Sequence, residues 1–296
     1  MEVWQMSKLV GRGIVKTYGK KTVLQDVNLM LEEHKIYGMI GRNGAGKTTL
    51  LSILTAQNPA TKGEILWNGI PVWENKEALS HICFSRELNQ VSGNNMNALR
   101  IKDYLQAAEA FLPHWDKQMA DSLVRQFQLD PKKRINKLSK GMLSMVTIIV
   151  ALASKADFTI LDEPVAGLDV IAREKFYHLL LEEYENTDRT FVVSTHIIEE
   201  AADIFEEVII VKEGKILLKE NTQDLLDRSY HVSGHVDQVD AACAGLAVHH
   251  AEQIGRSKGV TVLLEEGQTI RTDCDVSIQK PGLQKLFVAL CGEETV

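Results

Sequence analysis

The chain has 296 residues, 45% apolar and 25% charged, which gives room for one large globular domain and a small appendage. A net charge of −7 argues against a nucleic-acid partner, which would need a basic surface, and the one dense basic stretch, PKKRINKLSK at 131–140, reads as a solvated face. The four cysteines (Cys83, Cys243, Cys274 and Cys291) are scattered with no C-x-x-C pair, which suits free thiols better than a disulfide frame or a zinc site.

The opening MEVWQMSKLV carries an early acid and no apolar core, so it does not read as a signal peptide. Val27, Leu29 and Leu31 alternate with Asn28 and Met30, the period of a half-buried strand. A second strand, KIYGMIG at 35–41, runs straight into a glycine-rich turn and a helix. That turn, Gly41-Arg42-Asn43-Gly44-Ala45-Gly46-Lys47-Thr48, with Thr49 following, matches G-x-x-x-x-G-K-[ST] in the strand–turn–helix context the match requires. Glycines let backbone N–H groups curl around a phosphate, and the helix N-terminus adds positive potential. Lys47 would supply a cation for the β- and γ-phosphates and Thr48 a hydroxyl ligand for Mg²⁺. Chance produces such a match in about one chain per hundred of this length, so a nucleotide site is expected.

Between about 97 and 153 the pattern turns helical, with Met119, Leu123 and Phe127 at i, i+4 and i+8 defining a buried face. LSMVTIIVALA at 143–153 is well short of the ~20 residues of a membrane span, so a soluble chain is expected, reaching a membrane only through a partner. Strand patterns return at FTIL (158–161), TFVVS (190–194) and EVIIV (207–211). The first two are continuous apolar runs, as parallel strands covered on both faces require. Asp162 and Glu163 follow the first of them at once. Downstream of a phosphate loop this pair has a use: Asp162 can hold Mg²⁺ through water beside Thr48, and Glu163 can orient the attacking water. VKEGKI at 211–216 reads as a hairpin turning on Glu213-Gly214. After about residue 229, short strand-like pieces (YHVSGHV, GVTVLLEE, CDVSIQ) surround a small helix, and GLQKLFVAL at 282–290 closes the chain as an amphipathic helix. The histidines there (His231, His235, His249, His250) lack ligand-like spacing to acids or thiols.

GRNGAGKTT, LSKGM (138–142), LDEPVAGLD (161–169) and STH (194–196) occur in the order and spacing of ATP-binding cassette (ABC) ATPases, which the chain resembles over about residues 7–225. The resemblance implies an α/β P-loop core with an antiparallel β-subdomain and a helical subdomain inserted at about 91–153, in a cassette of residues 1–229. A small C-terminal α/β domain would occupy 230–296. It also implies that Tyr18 stacks on adenine, and that Ser139, Lys140 and Gly141 meet the γ-phosphate of an ATP held by a second copy or sister subunit. Asp169 would lie in the loop joining the two sites, and His196 would sense the γ-phosphate beside the catalytic Glu163.

Two motifs depart from the family pattern. In the signature, usually L-S-G-G-Q, Lys140 and Met142 stand at the third and fifth places. The coupling-loop glutamine is represented by Glu87, or by Gln90 if the loop is longer. The resemblance implies an ATP-hydrolysing subunit with Mg²⁺ as cofactor, powering a separate transmembrane permease of a bacterial exporter from the cytoplasmic face of the membrane. The alternative is a regulatory membrane-associated ATPase that senses a compound without moving it.

Overall fold

The computed structural model describes residues 7–88 and 99–292. Its first layer is an antiparallel sheet of β1 (Lys8–Tyr18), β2 (Lys21–Glu32), β4 (Lys62–Trp67) and β5 (Ile70–Pro71), in the order β2-β1-β4-β5. The alternation read at Val27–Leu31 holds, with Val27, Leu29 and Leu31 buried and Asn28 and Met30 exposed. It breaks at a bulge where Asp26 takes a φ of +53° and the register against β1 shifts.

The central sheet has the order β10-β9-β3-β8-β7-β6. It is built from β3 (Ile36–Ile40), β6 (Ile82–Arg86), β7 (Phe158–Asp162), β8 (Thr190–Ser194), β9 (Glu207–Lys212) and β10 (Lys215–Asn221). Neighbours from β9 to β6 run parallel, and β10 closes one edge antiparallel. β3, β7 and β8 are buried at every residue, and their continuous apolar runs feed two cores on opposite faces. Ile160 and Val192 face the antiparallel sheet and helix α1 (Lys47–Leu54). Leu161, Phe191 and Val193 face the other way, into a core shared with α3 (Ile101–Phe111), α4 (Lys117–Gln126), α5 (Lys140–Ala153) and α6 (Val170–Glu185). In α4 the expected face is present: Leu123 and Phe127 are buried and Met119 packs beside them. The short helices α2 (Lys76–Ser80) and α7 (Ile198–Ala201) lead into β6 and follow β8.

The β9–β10 hairpin turns where the sequence places it. Glu213 and Gly214 have φ of +50° and +77°, the paired positive values that a two-residue hairpin needs. Helix α8 (Thr222–Asp227) leads to a four-stranded antiparallel sheet, in the order β12-β13-β11-β14. It comprises β11 (Ser229–His235), β12 (Val248–Ile254), β13 (Ser257–Leu263) and β14 (Val276–Gln279), with α9 (Val236–Ala242) packed on it. Its core is small and includes Val232, Val239, Val260, Val262 and Ile270. Helix α10 (Leu283–Cys291) does not complete that core. Its apolar stripe, Leu283, Leu286 and Leu290, lies in the α-helical core of the central sheet with Ile198 and Phe205.

A buried cation ties helices to strands. Arg189, 4% exposed, donates to the Ala151 and Leu152 carbonyls at the end of α5 (2.9 and 2.8 Å), to Thr159 Oγ1 of β7 (2.7 Å) and to Glu183 of α6 (2.8 Å). A positive charge at a helix C-terminus satisfies orphan carbonyls and the helix dipole together.

Candidate nucleotide site

The glycine-rich turn sits between β3 and α1, at the C-terminal edge of the parallel strands, where open α/β sheets bind ligands. Its shape depends on missing side chains. Gly46, the N-cap of α1, has φ +109°, and a Cβ there would lie 2.8 Å from Leu24. A Cβ on Gly41 would lie 2.5 Å from the Val211 carbonyl. The β9–β10 turn braces the loop from outside: Gly214 N–H donates to the Ala45 carbonyl (2.9 Å), and Gln25 N–H donates to the Gly214 carbonyl (2.9 Å).

Arg42, Asn43, Gly44 and Thr48 are exposed, Ala45 is buried and Thr49 is half-buried. Lys47 is buried, and its ammonium donates to the Gly41 carbonyl (2.7 Å), folding the side chain back over the loop. Burial pushes the Lys47 ammonium below its ordinary pKa, while the nearby carboxylates of Glu163 and Asp162 oppose that shift. The two acids therefore lie within electrostatic reach of the loop's cation.

Asp162 ends β7 and Ser194 ends β8, paired side by side in the parallel register. Each is buried, and each has a side-chain oxygen (Asp162 Oδ1, Ser194 Oγ) with no hydrogen-bond partner among the described residues. Buried oxygens without partners are costly, and two together mark a place built for a ligand, water or ion. A hard cation suits this donor set, so Asp162 fits a Mg²⁺ site. Glu163 follows with φ +52°, a left-handed conformation uncommon for a residue bearing a Cβ. Its N–H donates to the Ser194 carbonyl (2.9 Å), which turns its side chain toward the end of β8. There Glu163 Oε2 meets His196 Nδ1 at 2.7 Å. The acid and the histidine singled out from the sequence are thus in direct contact.

Tyr18, at the end of β1, is 48% exposed. Lys16 Nζ lies 4.9 Å from the ring centroid, and Asn58 Nδ2 donates to the Tyr18 hydroxyl.

Ser139, Lys140 and Gly141 begin α5. Ser139 is its N-cap, with Oγ accepting from Met142 N–H (3.2 Å). Gly141 lies against the segment after Glu163, where a Cβ would come within 2.5 Å of the Gly167 carbonyl. Asp169 caps α6, accepting from Ala172 N–H (2.8 Å). One segment, 163–169, thus carries Glu163 at one end and touches the start of α5 at the other. Glu87 follows β6, and its carboxylate pairs with Lys140 Nζ at 3.1 Å. The alternative Gln90 lies outside the described residues.

A family model described as ABC transporter matches residues 24–166, from within β2 through the phosphate loop and the start of α5 to just past Glu163. The chain belongs to the ABC transporter ATPase family. The cassette is similar to the ABC transporter ATP-binding protein YtrB of Bacillus subtilis, 24% identical over 72% of this chain and 71% of that one. It is likewise similar to the lantibiotic transport ATP-binding protein SrtF of Streptococcus pyogenes, 28% identical over 73% of this chain and 94% of that one. A solved dimeric cassette bound to ADP and Pi shares the fold with a TM-score of 0.63 at 24% identity, covering 72% of this chain and 98% of that one. The cassette is an ATP-binding ATPase with the P-loop ABC fold. None of its described helices is long and apolar enough to cross a membrane.

Sequence reasoning did not single out two residues of this cassette. Ser194 stands in the sequence only as the first residue of STH, and its orphaned oxygen follows from strand register, which a linear reading does not supply. Lys16 carries no local signal, because its place beside Tyr18 is set by hydrogen bonds to Asn58 and the Pro59 carbonyl some forty residues away.

Proposed function

We propose that this cassette powers a separate membrane permease of a bacterial exporter, by pairing with a second cassette around two ATP molecules and hydrolysing them. The observation that carries the reading is the convergence of Lys47, Asp162, Glu163 and His196 at one edge of the central sheet, with orphaned oxygens on Asp162 and Ser194. In this reading the backbone of Gly41–Thr49 cradles the phosphates and Lys47 neutralises them. Thr48 and Asp162 hold Mg²⁺, the latter through water; the ion's chemistry is to offset charge on the β- and γ-phosphates. Glu163 accepts the proton of the attacking water, and His196, already seated on its carboxylate, contacts the γ-phosphate. Tyr18 offers its exposed ring to adenine.

Ser139, Lys140 and Gly141 would face the ATP of the second cassette, and Asp169 would join the two sites. Glu87 would stand in the coupling loop that meets the permease. Residues 1–229 would form the motor and 230–296 an accessory domain, at the cytoplasmic face of the membrane. Support for export comes from similarity to SrtF, a lantibiotic transport protein most of whose length this chain covers.

The test is to co-express the cassette with candidate six-helix membrane permeases from the same genome. The expected result is that it sediments with membranes only when one of these permeases is present, and that inverted vesicles lose ATP-driven movement of a peptide antibiotic in the Lys47→Ala variant. Membrane attachment without a permease, or transport by the Lys47→Ala variant, would overturn the reading.

A further inference from the structure

We propose that Lys140 is a cation shared in turn by two anions: the Glu87 carboxylate in the free chain, and the triphosphate of the facing cassette once two chains pair. Glu87 then restrains ATP-driven pairing by holding Lys140 back. This rests on the sandwich reading above and deepens it.

Two of the residues at which this chain departs from the family pattern, Lys140 and Glu87, are in contact with each other. Lys140 Nζ lies 3.1 Å from Glu87 Oε1, with the two side chains 57% and 42% exposed. Lys140 is the first residue of α5, and no acid accompanies it in the first turn. A cation at a helix N-terminus opposes the helix dipole, so its placement conflicts with local preference. Conflicts of this kind are expected where function overrides local stability.

The backbone around Lys140 is shaped to seat its stem. Gly167 has φ +77°, and a Cβ there would lie 2.7 Å from Lys140 Cγ. Gly141 needs the same bareness on the other side, against the Gly167 carbonyl. The base of the side chain is therefore clamped between the start of α5 and the segment that carries Glu163. Its far end, a compact ammonium on a flexible stem, is free to change partner.

The magnitudes favour exchange. An exposed carboxylate–ammonium pair is weak and screened by salt. A triphosphate offers several negative charges, and a chain-to-chain contact excludes water, which strengthens the attraction. Ser139 carries no charge and Gly141 no side chain, so Lys140 is the residue of this triplet that brings charge to a phosphate.

The competition makes a prediction about sign. If the Glu87–Lys140 pair were only a structural link, removing either charge would act on pairing in the same direction. If Glu87 competes with the triphosphate, the two removals act in opposite directions.

The test uses the full chain in a Glu163→Gln background, with ATP and Mg²⁺, reading the dimer dissociation constant from a concentration series in light scattering. Lys140→Met, which keeps the stem and removes the charge, is expected to weaken pairing about tenfold, the scale of a charge-assisted contact. Lys140→Arg should retain most of it. Glu87→Gln is expected to tighten pairing about threefold, the worth of an exposed ion pair. That gain should vanish when Lys140→Met is also present. Weakening by both single variants, or no effect of Lys140→Met on a parent that pairs with ATP, would overturn the proposal. A parent that remains single with ATP, both alone and with the permease present, would overturn the sandwich reading itself, and this inference with it.

Discussion

At the scale of single residues, Lys47 and Glu163 separate binding from turnover. Lys47 is the buried cation of the phosphate loop, and its ammonium donates to the Gly41 carbonyl, a partner that a triphosphate can replace. Lys47→Ala is therefore expected to abolish ATP binding in a fluorescence titration. Glu163→Gln keeps the shape and the contact with His196 while removing the base. It should bind ATP normally and lose turnover by about 10²–10⁴ in a steady-state phosphate assay; near-normal turnover would move the base elsewhere. Gly141→Ala should impair turnover for a different reason, since a methyl 2.5 Å from the Gly167 carbonyl pushes α5 off the segment that carries Glu163. Much of this scale was legible in the sequence, because phosphate binding needs bare backbone and one cation at fixed spacing. What escaped it was contact between distant positions. The Glu87–Lys140 pair and the side-by-side oxygens of Asp162 and Ser194 exist only once β6, β7 and β8 are in register.

At the scale of elements, a buried and a half-buried ion cluster tie separate segments together. Arg189 serves α5, α6 and β7 at once. Arg189→Met would take one donor each from the Ala151 and Leu152 carbonyls and from Thr159 Oγ1, and leave the buried Glu183 carboxylate with Lys155 alone. It should cost about 3–5 kcal/mol in urea unfolding at pH 7. Glu207 of β9 pairs with Lys219 at 2.8 Å and with Lys35. Burial pushes the Glu207 carboxyl up, but hydrogen bonds from Lys219 and Lys35 pull it further down, so it lies below its ordinary value in the folded chain. A lowered carboxyl stabilises the fold above its unfolded pKa, and that contribution is lost as pH falls through the folded value. Glu207→Gln should thus be less stable than the parent by about 1.5–3 kcal/mol at pH 7, the worth of hydrogen bonds to a charged group. The gap should close as urea titrations are repeated at values falling below about pH 4; a gap unchanged there would assign the loss to packing.

The elements themselves were legible wherever burial imposes a period. The apolar runs of β7 and β8 and the Glu213-Gly214 hairpin stand where the sequence indicates. Strand β12 was not legible, because six of its seven residues are exposed and an edge strand held by backbone bonds to β13 leaves no alternation to read. Helix α10 was legible as amphipathic, but the amphipathic pattern says nothing about which core receives the stripe. The structure places it against Ile198 and Phe205.

At the scale of the whole molecule, one chain carries two nucleotide-facing surfaces that serve different ATP molecules in the proposed assembly. The phosphate loop is braced by β2 and the β9–β10 turn, whereas the start of α5 is braced by Gly167 and Glu87. The segment from Glu163 to Asp169 connects them, which gives two paired cassettes a physical route by which occupancy at one surface reaches the base at the other. The C-terminal helix reaches the same edge. Lys212, just before the hairpin that braces the phosphate loop, donates to the Leu290 carbonyl of α10 at 3.0 Å. The central claim is that ATP joins two such chains. Light scattering of the Glu163→Gln chain, with and without ATP and Mg²⁺, tests it most directly. The account predicts the mass of one chain without nucleotide and of two with it, while a mass indifferent to ATP, both alone and with the permease present, would contradict it.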